Sequence, residues 1–170
     1  MLQTAAGSLD VGVEGKAGQT LLIRGGTSSV GQALGVLGKL RGMTVLATTR
    51  SADRVSLLEG LGVDQVLIDG GEIADQVRRL VPGGVDAAVE LVGVNVMRDT
   101  LRATRRGGTV CFTGMLSDQW SIPDFYPMDW LPNGVRLTAY SGQAADLAPA
   151  TLQGFLDAAA SGAAVVPVGR

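Results

Sequence analysis

The stretch Thr20-Leu-Leu-Ile-Arg-Gly-Gly-Thr-Ser-Ser-Val-Gly31 decides the fold. Thr20 to Arg24 is a short, mostly apolar run that follows the turn residues Gly15 to Gln19, which predicts a buried strand. Gly25-Gly26-Thr27-Ser28-Ser29 breaks that strand. From Ser29 onward Val30, Ala33, Leu34, Leu37 and Leu40 recur at helical spacing, and Gly42 stops the helix before a second strand, Thr44 to Thr48. The stretch therefore opens a strand-helix-strand unit through a glycine-rich turn.

The alternation continues downstream. Ala52 to Gly60 reads as helix, Val66 to Asp69 as strand, Ile73 to Leu80 as helix and Val85 to Leu91 as strand. Asn95 to Thr104 follows as a helix capped by Asn95, then Thr109 to Thr113 and Val135 to Tyr140 as strands, and Ala145 to Ala160 as the last helix. Strands alternating with helices of about ten residues require right-handed crossovers and a mostly parallel sheet with both faces covered. The predicted fold class is α/β: a doubly wound parallel sheet (Rossmann), six strands in the order 3-2-1-4-5-6, helices on both faces. Leu116 to Gly134 fits no period and holds Trp120, Phe125, Tyr126, Trp130 and three of the six prolines. It reads as a substrate-side wall, a dimer contact or an aromatic-pinned surface loop.

Composition narrows the function classes. The 170 residues carry a net charge of −2, with no block of like charge longer than Arg105-Arg106, so no field is present to draw nucleic acid or a membrane surface. Apolar runs such as Ala158 to Pro167 are too short to span a bilayer, which takes about 20 residues. Met1-Leu2-Gln3-Thr4 lacks the basic-then-apolar pattern of a secretory signal, and a cytoplasmic location is expected. Histidine is absent and Cys111 is the single cysteine. A Ser-His-Asp or Cys-His triad within the chain is thereby excluded, and no metal site is expected. Cys111, in mid-strand, reads as a small buried hydrophobe.

Ile23 to Gly31 has the strand-turn-helix context that a dinucleotide fingerprint requires. Gly26 is expected to make the tight turn, the amides at the helix start to face a pyrophosphate, and Gly31 to let the helix pack closely on the first strand. Ser28 stands where the middle glycine of G-x-G-x-x-G would be, and its hydroxyl and those of Thr27 and Ser29 offer donors instead. The phosphate-binding residues expected are Gly26, Thr27, Ser28, Ser29, Val30 and Gly31. A structural βα turn is the alternative.

The second strand ends Thr48-Thr49-Arg50-Ser51 with Arg54 just beyond, and no acid stands where a carboxylate would hold the ribose hydroxyls of NAD. A guanidinium with hydroxyl neighbours suits a 2′-phosphate, so Thr49, Arg50, Ser51 and Arg54 predict NADPH (NADP) rather than NADH. The same missing acid argues against an adenosylmethionine-dependent methyltransferase. Leu91-Val92-Gly93 and Thr113-Gly114-Met115 end the fourth and fifth strands, where open α/β sheets bind ligands, and Val92, Gly93, Thr113, Gly114 and Met115 are expected at the nicotinamide end. Glu90 and Asp86 have no sequence neighbour that would define a role, and no catalytic acid or base is assigned.

Thr20 to Gly31, Ala47-Thr-Thr-Arg-Ser51, Val89-Glu-Leu-Val-Gly93 and Arg106-Gly-Gly-Thr-Val-Cys-Phe-Thr-Gly114 together resemble the quinone oxidoreductase (zeta-crystallin-like) branch of the medium-chain dehydrogenase/reductase superfamily. The resemblance spans nearly the whole chain. It implies an NADP-binding Rossmann domain over residues 1–170, with hydride passing from NADPH to a small-molecule quinone or enone. It further implies that the family's GroES-like catalytic domain is absent, both ends being read as cut: Thr4 to Leu9 as the helix that enters the Rossmann half, Val165 to Arg170 as the strand that leads out. Such a truncated chain is expected to turn over slowly alone. An NADP-binding module or sensor without turnover is the alternative, and a one-domain short-chain reductase fails for want of a Tyr followed four residues later by Lys. The resemblance also implies a homodimer through the Val135 to Tyr140 edge strand.

Overall fold

The computed structural model describes residues 1–166. The chain enters through helix α1 (Leu2–Gly7) and a π-helical turn (Ser8–Gly12) before strand β1 (Thr20–Arg24). Helix α2 (Ser29–Leu40), β2 (Thr44–Thr49), α3 (Val55–Gly60) and β3 (Gln65–Ile68) complete the first half. The second half runs α4 (Ala74–Leu80), β4 (Val85–Glu90), α5 (Val94–Ala103), β5 (Thr104–Phe112), α6 (Pro127–Trp130), β6 (Arg136–Ala139) and α7 (Pro149–Ala160). All six strands are parallel in the order β3-β2-β1-β4-β5-β6, as the alternation predicted.

The sheet sorts its side chains by strand alternation. Leu21 and Ile23 of β1 pack with Val45, Ala47 and Val89 against α1, α2 and Leu58 of α3, while Leu22 joins Leu46, Ala88 and Val110 against α4 and α5. Each face thus has its own apolar core, and β1 is buried on both sides. Cys111 lies in the first core as a buried thiol, as expected, and burial pushes its pKa up.

Four local readings are corrected. Asn95 does not cap α5: the helix starts one residue earlier, Gly93 (φ +145°) holds the cap position, and the Asn95 side chain accepts from Ser117 Oγ at 2.8 Å. β5 begins at Thr104, because Thr104 pairs with Val85 before the register shifts and Thr109 pairs with Ala87. Arg105-Arg-Gly-Gly108, which precedes the strand expected from Thr109, forms an irregularity within β5, stapled by Arg105 Nε on Asp86 at 2.6 Å. Leu116 to Gly134 is not irregular throughout, since Pro127 opens the short helix α6, whose Trp130 stacks under Arg98 and against Phe125. The last helix is split, a 3-10 turn (Ala144–Asp146) preceding α7 because Pro149 fits the first helical turn. Of the closing segment, Val165 and Val166 lie outside strands and residues 167–170 lie outside the described residues.

Candidate functional site

β1 and β4 lie side by side, and their connecting helices leave on opposite faces, so a crevice opens between them at the carboxyl edge of the sheet. A cleft of about 440 Å³ occupies it, lined by the β1 loop (Gly25, Thr27), the end of β2 (Thr48, Thr49, Arg50) and the loop after β3 (Asp69, Gly70, Gly71). The far wall is built from Val92, Asn95, Val96, Leu116 and Ser117. Ser117 N donates to Val92 O at 2.7 Å and Leu116 N to Leu91 O at 3.0 Å, which folds the start of the long loop over the β4 end.

The glycine loop is built differently from the expectation in one respect and alike in another. The tight turn falls on Gly25, at φ +91°, whereas a Cβ on Gly26 would stand 2.8 Å from Ala47 Cβ and crowd β2. Gly31 does permit close packing, but against the loop: a Cβ there would collide with the carbonyl of Gly25. Ser28 caps α2, its Oγ accepting from Gly31 N at 3.0 Å and donating to Gly25 O at 2.9 Å. Its hydroxyl is therefore not free for a phosphate, which corrects the donor role expected of it. The hydroxyls of Thr27 and Ser29 and the amides of Thr27, Ser29 and Val30 make no hydrogen bond among the described residues. Those donors sit at the positive end of a twelve-residue helix.

At the end of β2, Thr49 is buried and Arg50 is exposed, with no ion pair among the described residues. Ser51 N donates to Thr49 Oγ1 at 3.3 Å, while Arg54 closes a separate 3-10 turn away from the cleft lining. Of the rim residues, Val92 lines the cleft and Gly93 precedes α5 behind it. Thr113 and Gly114 both donate their amides to Glu90 O, and the Thr113 hydroxyl meets Ser8 Oγ at 2.9 Å, inside the fold. Met115 accepts from Asp118 N and is not part of the lining.

The charged residues below this cleft were not legible from sequence neighbours. Arg24 is fully buried and donates to Asp69 through Nε (3.0 Å) and NH2 (3.1 Å), to Asp99 (2.7 Å), to Thr100 (3.1 Å) and to the carbonyls of Val96 and Gly71. Burial pulls the guanidinium's pKa down, and Asp69 with the other carboxylates more than offsets this and raises it. For Asp69 burial acts upward and is overcome by the Arg24 contact, so the carboxyl is held below its usual range. Glu90, buried at the end of β4, accepts from Val92 N, Gly93 N and Thr100 Oγ1, yet desolvation prevails and pushes its pKa up to about 7. A charged residue closing an apolar run, as Arg24 does, was the available signal: buried guanidinium demands carboxylate partners.

A second cleft of about 440 Å³ opens at the opposite edge, between Lys16, Asp86, Arg105 and Arg136. Its Arg105 is tied to Asp86 and its Arg136 to Thr109 and Gly107 O, and it lies away from both the helix amides and the topological crevice. The carboxyl-edge cleft is the functional candidate.

Residues 29–161 match the family described as zinc-binding dehydrogenase. Among curated proteins the chain is similar to an NADPH-dependent curcumin reductase of Escherichia coli, 32% identical over 114 residues, which cover 65% of this chain and 32% of that protein. It is also similar to an NADP-dependent oxidoreductase of Cochliobolus heterostrophus, 31% identical over 60% of this chain and 30% of the relative. Among solved structures AibC superposes with a TM-score of 0.85 at 28% identity, covering 100% of this chain and 46% of its own. A mycobacterial protein complexed with NADPH superposes at 0.84 with 26% identity, covering 99% and 53%. The chain thus spans about a third of the length of those curated relatives and about half of those solved chains. Zinc does not fit the donors present: histidine is absent, the one cysteine is buried, and no group of three or more Cys, Asp or Glu is disposed as ligands among the described residues.

Proposed function

The chain belongs to the zinc-binding dehydrogenase family, and from that premise we propose that it binds NADPH in the carboxyl-edge cleft, as the nucleotide-binding domain of a quinone or enone reductase. One observation carries the reading: Thr27, which leads into α2, and Arg50 line the same cleft, and among the described residues the amides of Thr27, Ser29 and Val30 make no hydrogen bond and the Arg50 guanidinium no ion pair, with no carboxylate at the end of β2. The NADP named for the two curated relatives and the NADPH complex of the mycobacterial structure support it.

The amides of Ser29 and Val30, with Thr27 and its hydroxyl, receive the pyrophosphate along the helix dipole. Gly26, Ser28 and Gly31 hold that loop in shape. Arg50, flanked by Thr49 and Ser51 and with Arg54 outside, takes the 2′-phosphate through charge-assisted bonds. Val92 and Gly93, with Thr113, Gly114 and Met115 beyond, form the nicotinamide side. When bound, NADPH supplies a hydride to a quinone or an activated double bond. A further domain of the GroES-like kind would complete the acceptor side, and residues 1–170 alone would turn over slowly, because orienting the acceptor supplies much of the rate. A cytoplasmic location and a homodimer through the β6 edge belong to the same reading; among the described residues β6 has a partner strand on one side only.

Fluorescence titration of the chain with NADPH and NADH, beside Arg50→Ala, tests this. Preference for NADPH, reduced about tenfold or more in Arg50→Ala, is expected; failure of the folded chain to bind either nucleotide at millimolar concentration overturns the reading. Acceleration of NADPH oxidation by added quinone separates a reductase from a binding module without turnover.

A further inference from the structure

The cleft holds a carboxylate that a nucleotide bearing a 2′-phosphate should avoid. Asp69 follows β3, and β3 is paired with β2, so Asp69 lines the same end of the cleft as Thr49 and Arg50. An unpaired anion there would act on a 2′-phosphate across a partly dehydrated wall, where screening by solvent is weak. Resting on the NADPH reading above, we propose that Arg24 determines nucleotide specificity from beneath the cleft, by neutralising Asp69 so that Arg50 remains the uncompensated charge at the adenosine end.

Arg24 cannot do this by contact with nucleotide, because its side chain is wholly inaccessible. It acts through Asp69. The neighbouring anions are provided for elsewhere: Asp99 accepts the amides of Ile73 and Ala74 at the start of α4, and Glu90 accepts those of Val92 and Gly93. Asp69 has the Gly71 amide at 2.9 Å and a long contact from Thr48 at 3.4 Å, and its cationic partner among the described residues is Arg24 alone. Two parallel N–H bonds from a planar guanidinium fix the carboxylate's orientation as well as its charge. A purely structural ion pair would look the same in the fold, so the discriminating quantity is nucleotide choice.

The test is titration of the 170-residue chain with NADPH and NADH at low salt, as wild type, Arg24→Gln and Arg24→Gln/Asp69→Asn. Arg24→Gln is expected to lower the NADPH to NADH affinity ratio about tenfold, and the double variant to restore it to within about twofold of wild type. A folded Arg24→Gln protein with an unchanged ratio overturns the proposal, and so does a double variant whose ratio stays low. Should Arg24→Gln fail to fold, Asp69→Asn alone decides: it removes the carboxylate and leaves the Arg24 charge, and an NADPH to NADH affinity ratio that does not rise above wild type overturns the proposal. A wild type with no NADPH preference instead defeats the functional reading, and this inference falls with it.

Discussion

Glu90 Oε1 accepts the backbone amide of Val92 at 2.7 Å, so the last side chain of β4 holds the loop that follows it. Oε2 takes the Thr100 hydroxyl at 2.5 Å and locks the same carboxyl to α5. Strand end, rim and helix are joined through one buried acid.

That acid makes stability depend on pH in a definite direction. With a folded pKa of about 7 against about 4.3 when unfolded, Glu90 binds more protons in the folded chain across that interval. Its contribution is complete below the unfolded value and is lost as pH rises through about 7. Asp69 has the opposite sign, its contribution fading as pH falls, because its folded pKa is lowered. Urea unfolding followed against pH should show the wild type losing up to about 3 kcal/mol between mildly acid and mildly alkaline conditions. Glu90→Gln keeps an acceptor for Val92 and should flatten that slope. Parallel curves for the two proteins would contradict the assignment.

Two glycines of one helix should behave oppositely. Gly31→Ala drives a methyl into the backbone carbonyl of Gly25, so the first turn of α2 must move off the loop that it supports. A loss of about 1–3 kcal/mol is expected, with weaker NADPH binding because the amides of Ser29 and Val30 move with it. Gly35→Ala places its methyl 3.5 Å from Val63, an ordinary contact in the helix interior. There a gain of up to about 1 kcal/mol is expected, from helix propensity alone. Thermal melts and nucleotide titration of both variants check the pair, and equal effects would refute the close approach at Gly31.

The sheet was legible because its signals are local and repeated: short apolar runs, helical spacing and glycine stops recur in every unit. Legibility failed where a residue's partner is remote in sequence. Arg24 meets Asp69 and Asp99 from 45 and 75 positions away, and no periodicity announces that. Ser28 stands where the fingerprint has a glycine, but a cap and a ligand donor have the same sequence signature, and the Gly31 amide took the hydroxyl. The direction of the Thr113 hydroxyl was hidden for a similar reason. It ends an apolar run, yet its hydroxyl turns inward to Ser8 of the entering turn.

The outer edge of β6 carries the last prediction. Tyr140 donates its amide to Phe112 of β5 at 3.0 Å, and by strand alternation the amide of Ala139 points away from the sheet. That edge, unpaired among the described residues, can take the sixth strand of a second copy, extending the sheet across a two-fold axis, and Arg136 at its start is exposed. Sedimentation velocity of the wild type should show a dimer. Ala139→Pro removes the outward donor from an edge position that tolerates proline, and it should shift the population to monomer with the far-ultraviolet spectrum retained. A wild type that sediments as a monomer over the micromolar range, or an Ala139→Pro protein that stays dimeric, would place the contact elsewhere or remove it.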